Sequence, residues 1–314
     1  MRYYTAPCLL LKQNPFNVGL LVSEFISENT VAPLVVSRAE HPISRNAISP
    51  NALKVLYRLK EAGYQAFLVG GAVRDLLIGR QPKDFDVATD AHPEQVKALF
   101  RNCRLIGRRF HLAHVRFGYE IIEVATFRAA HTLIDDDNSV DEDSRRVLDH
   151  HGRILRDNLY GSIDEDVWRR DFTANALYYN IADFSIWDYV GGVQDAKHRV
   201  LRLIGDPETR YREDPVRMLR AVRFAAKLNQ LGFKLEPKTA KPLLTCLPLL
   251  QDVPQSRLFD EMLKLLMSGH AYACLRKLRD EGLSRGVFPL LDAVMADDGD
   301  DRFLQLGLES TDAR

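Results

Sequence analysis

The stretch from Phe67 to Asp90, FLVGGAVRDLLIGRQPKDFDVATD, constrains this chain more than any other segment. It reads as an apolar strand, a Gly70-Gly71 turn, a helix opening with Arg74 and Asp75, and a second strand bearing Asp84 and Asp86. The glycine pair lets backbone N–H groups approach an anion closely, and the following helix N-terminus adds a favourable dipole. Residues two apart on an extended segment point to one side, so the Asp84 and Asp86 carboxylates converge. Two like charges so placed repel unless a cation lies between them, which suggests a divalent metal. A phosphate cradle beside paired carboxylates is the minimal equipment for two-metal phosphoryl transfer. A lone Asp-x-Asp is more often a solvated acidic turn. Here the glycines and Arg74, which can grip a triphosphate bidentately, reverse those odds. The glycines lack the spacing of a dinucleotide fingerprint, and no P-loop lysine follows.

The chain has 314 residues, enough for two or more domains, and 46% hydrophobic with 27% charged residues excludes wholesale disorder. Its net charge is zero, so no global basic field advertises a polyanion partner. Local charge is less even. Arg101, Arg104, Arg108, Arg109 and Arg116 lie in a stretch without an acid, and Asp135 to Asp143 is an opposing acidic run. Cys8, Cys103, Cys246 and Cys274 have no pairing or ligand spacing, as expected of reduced thiols in a cytoplasmic protein. No apolar run is long enough for a transmembrane segment. Lys12, Gln13 and Asn14 cut short the apolar Leu9 to Leu11, and no basic region precedes it, so no signal peptide is expected.

The periodicity predicts a loosely ordered extension over residues 1–45 and a helix from Ser49 to Ala62, with Pro50 in its first turn and Gly63 at its end. Strands are expected at Gln65–Val69 and Asp84–Thr89, a short helix at His92–Phe100, and an antiparallel pair at Ala113–Phe117 and Glu120–Phe127. Residues 129–160 are polar and aperiodic, the mark of a functional or disordered loop. Beyond Asp166 the pattern is mostly helical: Phe172–Ile181, Pro215–Asn229, Pro237–Leu244, Ser256–Ser268 and Ala271–Glu281, interrupted by a hairpin-like Phe184–Leu203. A small mixed-sheet domain followed by a helical one is the α+β arrangement this implies.

Three further groups could carry chemistry. Glu123, in EIIEVATFR, faces inward in an apolar strand and would need a metal or a donor, with Glu120 as its solvent-facing control. The plain alternative is an edge-strand acid. Arg169, Arg170, Asp171 and Asn175 fall in RRDFTANAL, where Asp171 or Thr173 could simply cap the next helix. Capping leaves the two arginines unexplained; triphosphate contact would suit them, with Asp171 taking a ribose hydroxyl or joining the acids. In REDPVRMLRAVRFAAKL, Arg217, Arg220, Phe224 and Lys227 share one stripe opposite apolar Met218, Ala221, Val222, Ala225 and Leu228. A solvated basic face is one reading; Asp214 and Arg217 as a donor–acceptor pair reading a base edge is the other. His111 and His114, among arginines, read as surface or RNA-contact residues and not as metal ligands.

In this order, GGAVRDLLIGRQPKDFDVATD, EVATFR, RRDFTANAL, DYVGG and EDPVRMLRAVRFAAKL resemble the bacterial poly(A) polymerase and CCA-adding nucleotidyltransferase family, class II of the polymerase-beta-like superfamily. The likeness runs from about Ile48 to Gly282. LIGRRFHLAHV, Leu105 to Val115, resembles the segment that separates the poly(A) polymerases from the CCA-adding enzymes. The resemblance implies a mixed five-stranded nucleotidyltransferase head (46–187), then an all-helical neck that recognises the nucleotide base (188–262) and an RNA-binding body (263–314). It implies that Asp84 and Asp86 bind two Mg²⁺ ions, with Glu123 or Asp171 as the third acid. Gly70, Gly71, Arg74 and Arg170 would hold the triphosphate, and Asp214, Arg217 and Arg220 would face the adenine of ATP. The implied partners are RNA 3′ ends, not DNA, and the implied state is a monomer. Poly(A) polymerases continue past the position of Arg314 into a basic tail; this chain stops after LQLGLESTDAR, so an incomplete body is expected.

The expected reaction is template-independent addition of AMP to RNA. A CCA-adding enzyme is the nearest rival, and a shortened, inactive RNA-binding remnant is the rival of another class. A dinucleotide-dependent oxidoreductase lacks the glycine spacing and has surplus carboxylates.

Overall fold

The structure is a computed structural model that describes residues 32–107, 112–129, 147–148, 154–156, 160–296 and 301–313. At its centre is an eight-stranded mixed sheet. The strands are β1 (Leu34–Val36), β2 (Ala66–Val69), β3 (Asp86–Thr89), β4 (Cys103–Ile106), β5 (Leu112–Phe117), β6 (Glu120–Thr126), β7 (Leu177–Asn180) and β8 (Ile186–Asp188). Their spatial order is β1-β8-β7-β2-β3-β6-β5-β4. Only β3 and β6 run parallel, joined by a crossover that contains helix α3 (Pro93–Leu99); the other sheet neighbours are antiparallel.

Local chemistry sets the head helices. In α1 (Pro50–Glu61) the Ser49 hydroxyl accepts from Asn51 N at 3.2 Å, Pro50 fixes the first turn, and Gly63 at φ +90° ends the segment. Its buried stripe, Ala52, Val55, Leu56 and Leu59, lies in the same core as Leu68, Val87, Ile122 and Val124. Each such side chain contributes about 1.5–3 kcal/mol on burial. Helix α2 (Gly71–Leu77) belongs to that core too, through Ala72, Val73, Leu76 and Leu77. On the opposite sheet face, Phe67, Val69, Ala88 and Tyr178 pack with Ile163 and Val167 of α4 (Ile163–Arg169). The sheet therefore has helices on both sides, but the described residues cover the α4 side only in part.

Several expectations fail here, the first being the strand count, eight in place of five. The predicted helix Phe172–Ile181 is a 3₁₀ turn, Thr173–Asn175, followed by β7, a strand inside the sheet. Tyr178 and Tyr179 point to opposite faces and both are buried, so the segment shows no strand alternation to read. The hairpin-like Phe184–Leu203 is β8, then helix α5 (Gly192–His198) and a short strand, Val200–Leu201. The true hairpin is β7 with β8. Its DYVGG motif is a helix start: Asp188 Oδ1 accepts from Gly192 N at 2.9 Å and Oδ2 from Val193 N at 2.9 Å. Part of the expected loose extension is also built in, since β1 pairs with β8 and His41 and Ile43 are buried. Residues 1–31, Arg108 to His111 and Asp135 to Asp143 lie outside the described residues.

Helices follow the sheet: α6 (Pro207–Glu213), α7 (Val216–Leu228), α8 (Gln255–Leu266) and α9 (Ala271–Asp280), with short helical turns between and after them. The predicted apolar stripe of α7, Met218, Ala221, Val222, Ala225 and Leu228, is buried. This part is not purely helical, because Val200–Leu201 pairs in parallel with Lys234–Leu235.

Candidate active site

Phe85 is buried in the core, which turns its neighbours Asp84 and Asp86 together to the other side. Asp84 precedes β3 and is exposed; Asp86 is the first residue of the strand. Glu123 on β6 is the register partner of Asp86, and register partners share a sheet face. Glu123 is exposed on that face, between buried Ile122 and Val124, and does not point inward as its apolar surroundings suggest. Glu120 is not the free solvent acid expected, since Asn51 Nδ2 donates to its Oε2 at 2.6 Å. His114 Nε2 lies 3.2 Å from Glu123 Oε1, an ion-pair distance without hydrogen-bond alignment.

Asp86 shows what this crowding does. Burial, then Glu123 and Asp84, push its carboxyl from 3.8 up to about 6, against a counter-pull from Arg170. Gly70, at φ +73°, passes close by: a Cβ built there would sit 3.7 Å from Asp86 Oδ2. Among the described residues no three acidic, histidine or cysteine side chains form a ready-made metal cage. The donor set nonetheless fits Mg²⁺, which takes oxygen ligands and typically binds through one or two carboxylates while keeping waters and substrate oxygens.

Arg170 is aimed at this cluster by a network that the sequence did not reveal. Its Nε donates to Tyr178 Oη at 2.7 Å and to Asp166 Oδ2 at 3.2 Å, and its Nη2 to Asp166 Oδ2 at 3.0 Å. Tyr178 Oη donates to Asp166 Oδ2 at 2.6 Å, and the guanidinium lies 4.9 Å from the Tyr178 ring centroid. Asp166 and Tyr178 both hold Arg170 protonated well above its ordinary range despite burial. Arg74, by contrast, is buried: its Nε and Nη2 donate to Asp75 Oδ1 and its Nη1 to Asn175 Oδ1.

Asp171 faces the helices. Arg220 Nη2 lies 2.6 Å from Asp171 Oδ2, and Arg217 Nε donates to its Oδ1 at 3.3 Å. It caps no helix; Thr173 Oγ1 donates instead to Asp195 Oδ2 at 2.6 Å. Arg217 also donates Nη1 to Glu213 Oε2 at 3.1 Å and to Arg210 O at 3.0 Å, so this residue of the supposed basic face is buried. Asp214 Oδ2 accepts from Arg257 Nη2 on α8 at 2.9 Å. Burial opposes its ionisation, but Arg257, Arg217 and Arg220 outweigh that and hold the carboxyl below its usual range. Asp214 and Arg217 are joined through Arg217 N donating to Asp214 O at 3.0 Å, and their side chains have other direct partners. The structure thus gathers Asp84, Asp86, Glu123, Gly70 and Arg170 at one site. It gathers Asp171, Asp214, Arg217 and Arg220 at a second, linked to the first where Arg210 Nη2 donates to Arg170 O at 3.0 Å. Asp166, Tyr178, Arg210, Glu213 and Arg257 were not singled out; only the i,i+4 spacing of Asp166 and Arg170 hinted at any of them.

Residues 66–202 match a family described as "Poly A polymerase head domain", and residues 232–295 one described as "Probable RNA and SrmB- binding site of polymerase A". Poly(A) polymerase I of Salmonella typhimurium is 55% identical over 283 residues, 89% of this chain and 59% of that protein. Its counterpart in Haemophilus influenzae is 49% identical over 284 residues, 89% of this chain and 61% of that protein. Among solved structures, the Bacillus stearothermophilus CCA-adding enzyme in complex with CTP superposes with a TM-score of 0.59 at 35% identity, over 76% of this chain and 54% of that one. The chain therefore spans about three-fifths of the length of these polymerase relatives.

Proposed function

The chain belongs to the tRNA nucleotidyltransferase/poly(A) polymerase family, and we propose that it transfers AMP from ATP to RNA 3′ ends without a template. The observation that carries this is the convergence of Asp84, Asp86 and Glu123 beside the anchored Arg170. A carboxyl raised in proton affinity beside two further acids, none with an arginine or lysine partner among the described residues, is a site prepared for a cation, and a half-buried, firmly protonated arginine next to them is a site prepared for phosphate.

Each residue then has a role. Asp84 and Asp86 would hold two Mg²⁺ ions, with Glu123, the register partner of Asp86, as the third acid. The ions, when bound, lower the pKa of the attacking hydroxyl and neutralise the departing pyrophosphate. Asp171, already neutralised by Arg217 and Arg220, ties the head to the base-reading helix α7. Arg170 grips the triphosphate; Gly70 and Gly71 bring backbone close to it; buried Arg74 supports the pocket by holding Asn175. Asp214, Arg217 and Arg220 face the adenine, with Arg257 fixing the Asp214 carboxylate. Catalysis here is positioning and electrostatics, with no covalent intermediate on the protein. The corresponding division is a head over 46–187, a neck over 188–262 and the start of a body over 263–314. The described cysteines are free, and no described helix is long and apolar enough to cross a membrane.

The test is incubation with labelled ATP, Mg²⁺ and a short RNA primer, in parallel with CTP plus ATP on a tRNA acceptor lacking its CCA end. Successive AMP addition to the primer is expected. Completion of CCA on the tRNA, with no extension of the primer, would assign the chain to the rival branch of the family.

A further inference from the structure

The described residues roof the face of the sheet that bears the acids over only half its width. Over β7, β2 and β3, Tyr178, Phe67, Val69 and Ala88 are buried against α4. Over β6, β5 and β4 the same face carries Ile121, Glu123, His114, Arg116 and Arg104, all exposed or half-exposed. Strand register makes part of this an ordered row. Arg104 pairs with His114, His114 with Glu123, and Glu123 with Asp86. At roughly 4.8 Å between neighbouring strands, the row spans about 14 Å from the edge strand to the acids.

The charges along it are graded: a cation at the sheet edge, an imidazole, then carboxylates. The Arg104 side chain has no hydrogen-bond or ion-pair partner among the described residues. Arg116 lies one row over, opposite Ile121, and among the described residues its side chain donates only through Nε, to Gly118 O at 2.9 Å. In-line displacement puts the attacking oxygen and the departing pyrophosphate on opposite sides of the reacting phosphorus. Arg170, stacked on Tyr178 of β7, marks the leaving-group side. The attacking 3′-hydroxyl must then arrive from the β5–β4 side.

We infer that this open half of the sheet is the track for the last few nucleotides of the RNA 3′ strand, with Arg104 and Arg116 holding its phosphates. The inference rests on the nucleotidyltransferase reading, which supplies the direction of approach. A single strand is the fitting occupant because the row is narrow, basic at its entrance and ends where a 3′ end reacts. His114 and Ile121 form the floor between the two arginines and the acids.

Equilibrium binding of an end-labelled oligoadenylate, followed by fluorescence anisotropy at several salt concentrations, tests this. Three forms are compared: the unaltered chain, Arg104→Ala with Arg116→Ala, and Arg58→Ala. Arg58 is an exposed arginine of α1, on the opposite side of the sheet. The double variant should bind about tenfold or more weakly, and its log K against log salt should flatten by about 1.4, two phosphate contacts at roughly 0.7 each. Arg58→Ala should stay within about twofold of the unaltered chain. RNA carrying thiouridine three nucleotides from its 3′ end should photocross-link within the β4–β5 segment. Equal affinity of the double variant, an equal loss in Arg58→Ala, cross-links confined to the helices of residues 232–295, or no binding by the unaltered chain would each overturn the track. Neither readout requires turnover. A chain that binds as described yet incorporates no AMP would refute the enzymatic reading and leave the binding surface standing.

Discussion

Asp86→Asn should stabilise the metal-free protein while removing its activity. The carboxyl of Asp86 titrates at about 6 in place of 3.8, because burial and then the charges of Glu123 and Asp84 disfavour its anion. That is more than a hundredfold in proton affinity, or about 3 kcal/mol. Between the two values the folded chain keeps a proton that the unfolded chain has released. Stability contributed by this group is therefore fully present below about pH 4, declines as pH rises, and is lost above about pH 6. Asparagine is neutral throughout and escapes the cost. The gain should be small near pH 4, about half-developed by pH 5 and complete, at about 2–3 kcal/mol, by pH 8. For a chain of this size it corresponds to a rise in Tm of roughly 4–8 °C. The assay is thermal unfolding of both proteins in chelator at pH 5 and pH 8, repeated at pH 8 with Mg²⁺. Magnesium should raise the Tm of the unaltered protein and have little effect on the variant. A variant no more stable than the parent at pH 8, or equally stabilised at both pH values, would refute the claim that the acids are held together at a cost.

Other substitutions probe separate links. Asp84→Ala should reduce AMP incorporation to background with Tm nearly unchanged, since Asp84 is exposed; full residual activity would refute its assignment. Tyr178→Phe removes a hydroxyl that accepts from Arg170 Nε at 2.7 Å and donates to Asp166, a net loss of about 1 kcal/mol, so KM for ATP should rise about fivefold. Gly192→Ala would place a Cβ 2.1 Å from Thr173 O, where the neighbour is backbone and cannot swing away. A loss of about 1–3 kcal/mol in urea unfolding is expected, and an unchanged midpoint would show that the α5 start can shift.

Elements whose signals are local were legible in the sequence. Ser49, Pro50 and Gly63 mark α1 to within a residue, and Gly118 sits in the turn between β5 and β6. The Asp84–Asp86 pair was legible because spacing of two means one side in any extended segment. Segments whose identity comes from neighbours were not. Residues 172–181 read as a helix because a strand buried on both faces loses its alternation, and only the flanking β2 and β8 make β7 a strand. Strand β1 is three residues long and gains its meaning from pairing with β8. Glu123 was found, but its direction was reversed: the apolar residues around it face the core and Glu123 does not. The place of Asp171 depended on α7 folding back over it, which spacing within RRDFTANAL cannot encode.

The distribution of ion pairs gives an independent reason to place the chemistry at β3 and β6. The chain has equal numbers of acidic and basic residues, 43 of each, so every acid could in principle have had a partner. Where the helices meet the head, acids do. Asp171 holds Arg217 and Arg220, Asp214 holds Arg257, and Glu261 holds Arg223 and Lys264. Asp84, Asp86 and Glu123 have no arginine or lysine within ion-pair distance among the described residues, although Arg170 is near enough for its charge to act on Asp86. Arg170 is kept from closing on them by Asp166 and Tyr178, which occupy its Nε and Nη2. A fold selected only for stability would let that arginine collapse onto the acids and recover about 3 kcal/mol at Asp86. Holding it a short distance away leaves a gap bounded by carboxylates on one side and a fixed guanidinium on the other. Such a gap suits a cation bound to a phosphate, because the two bring the charges that each wall lacks.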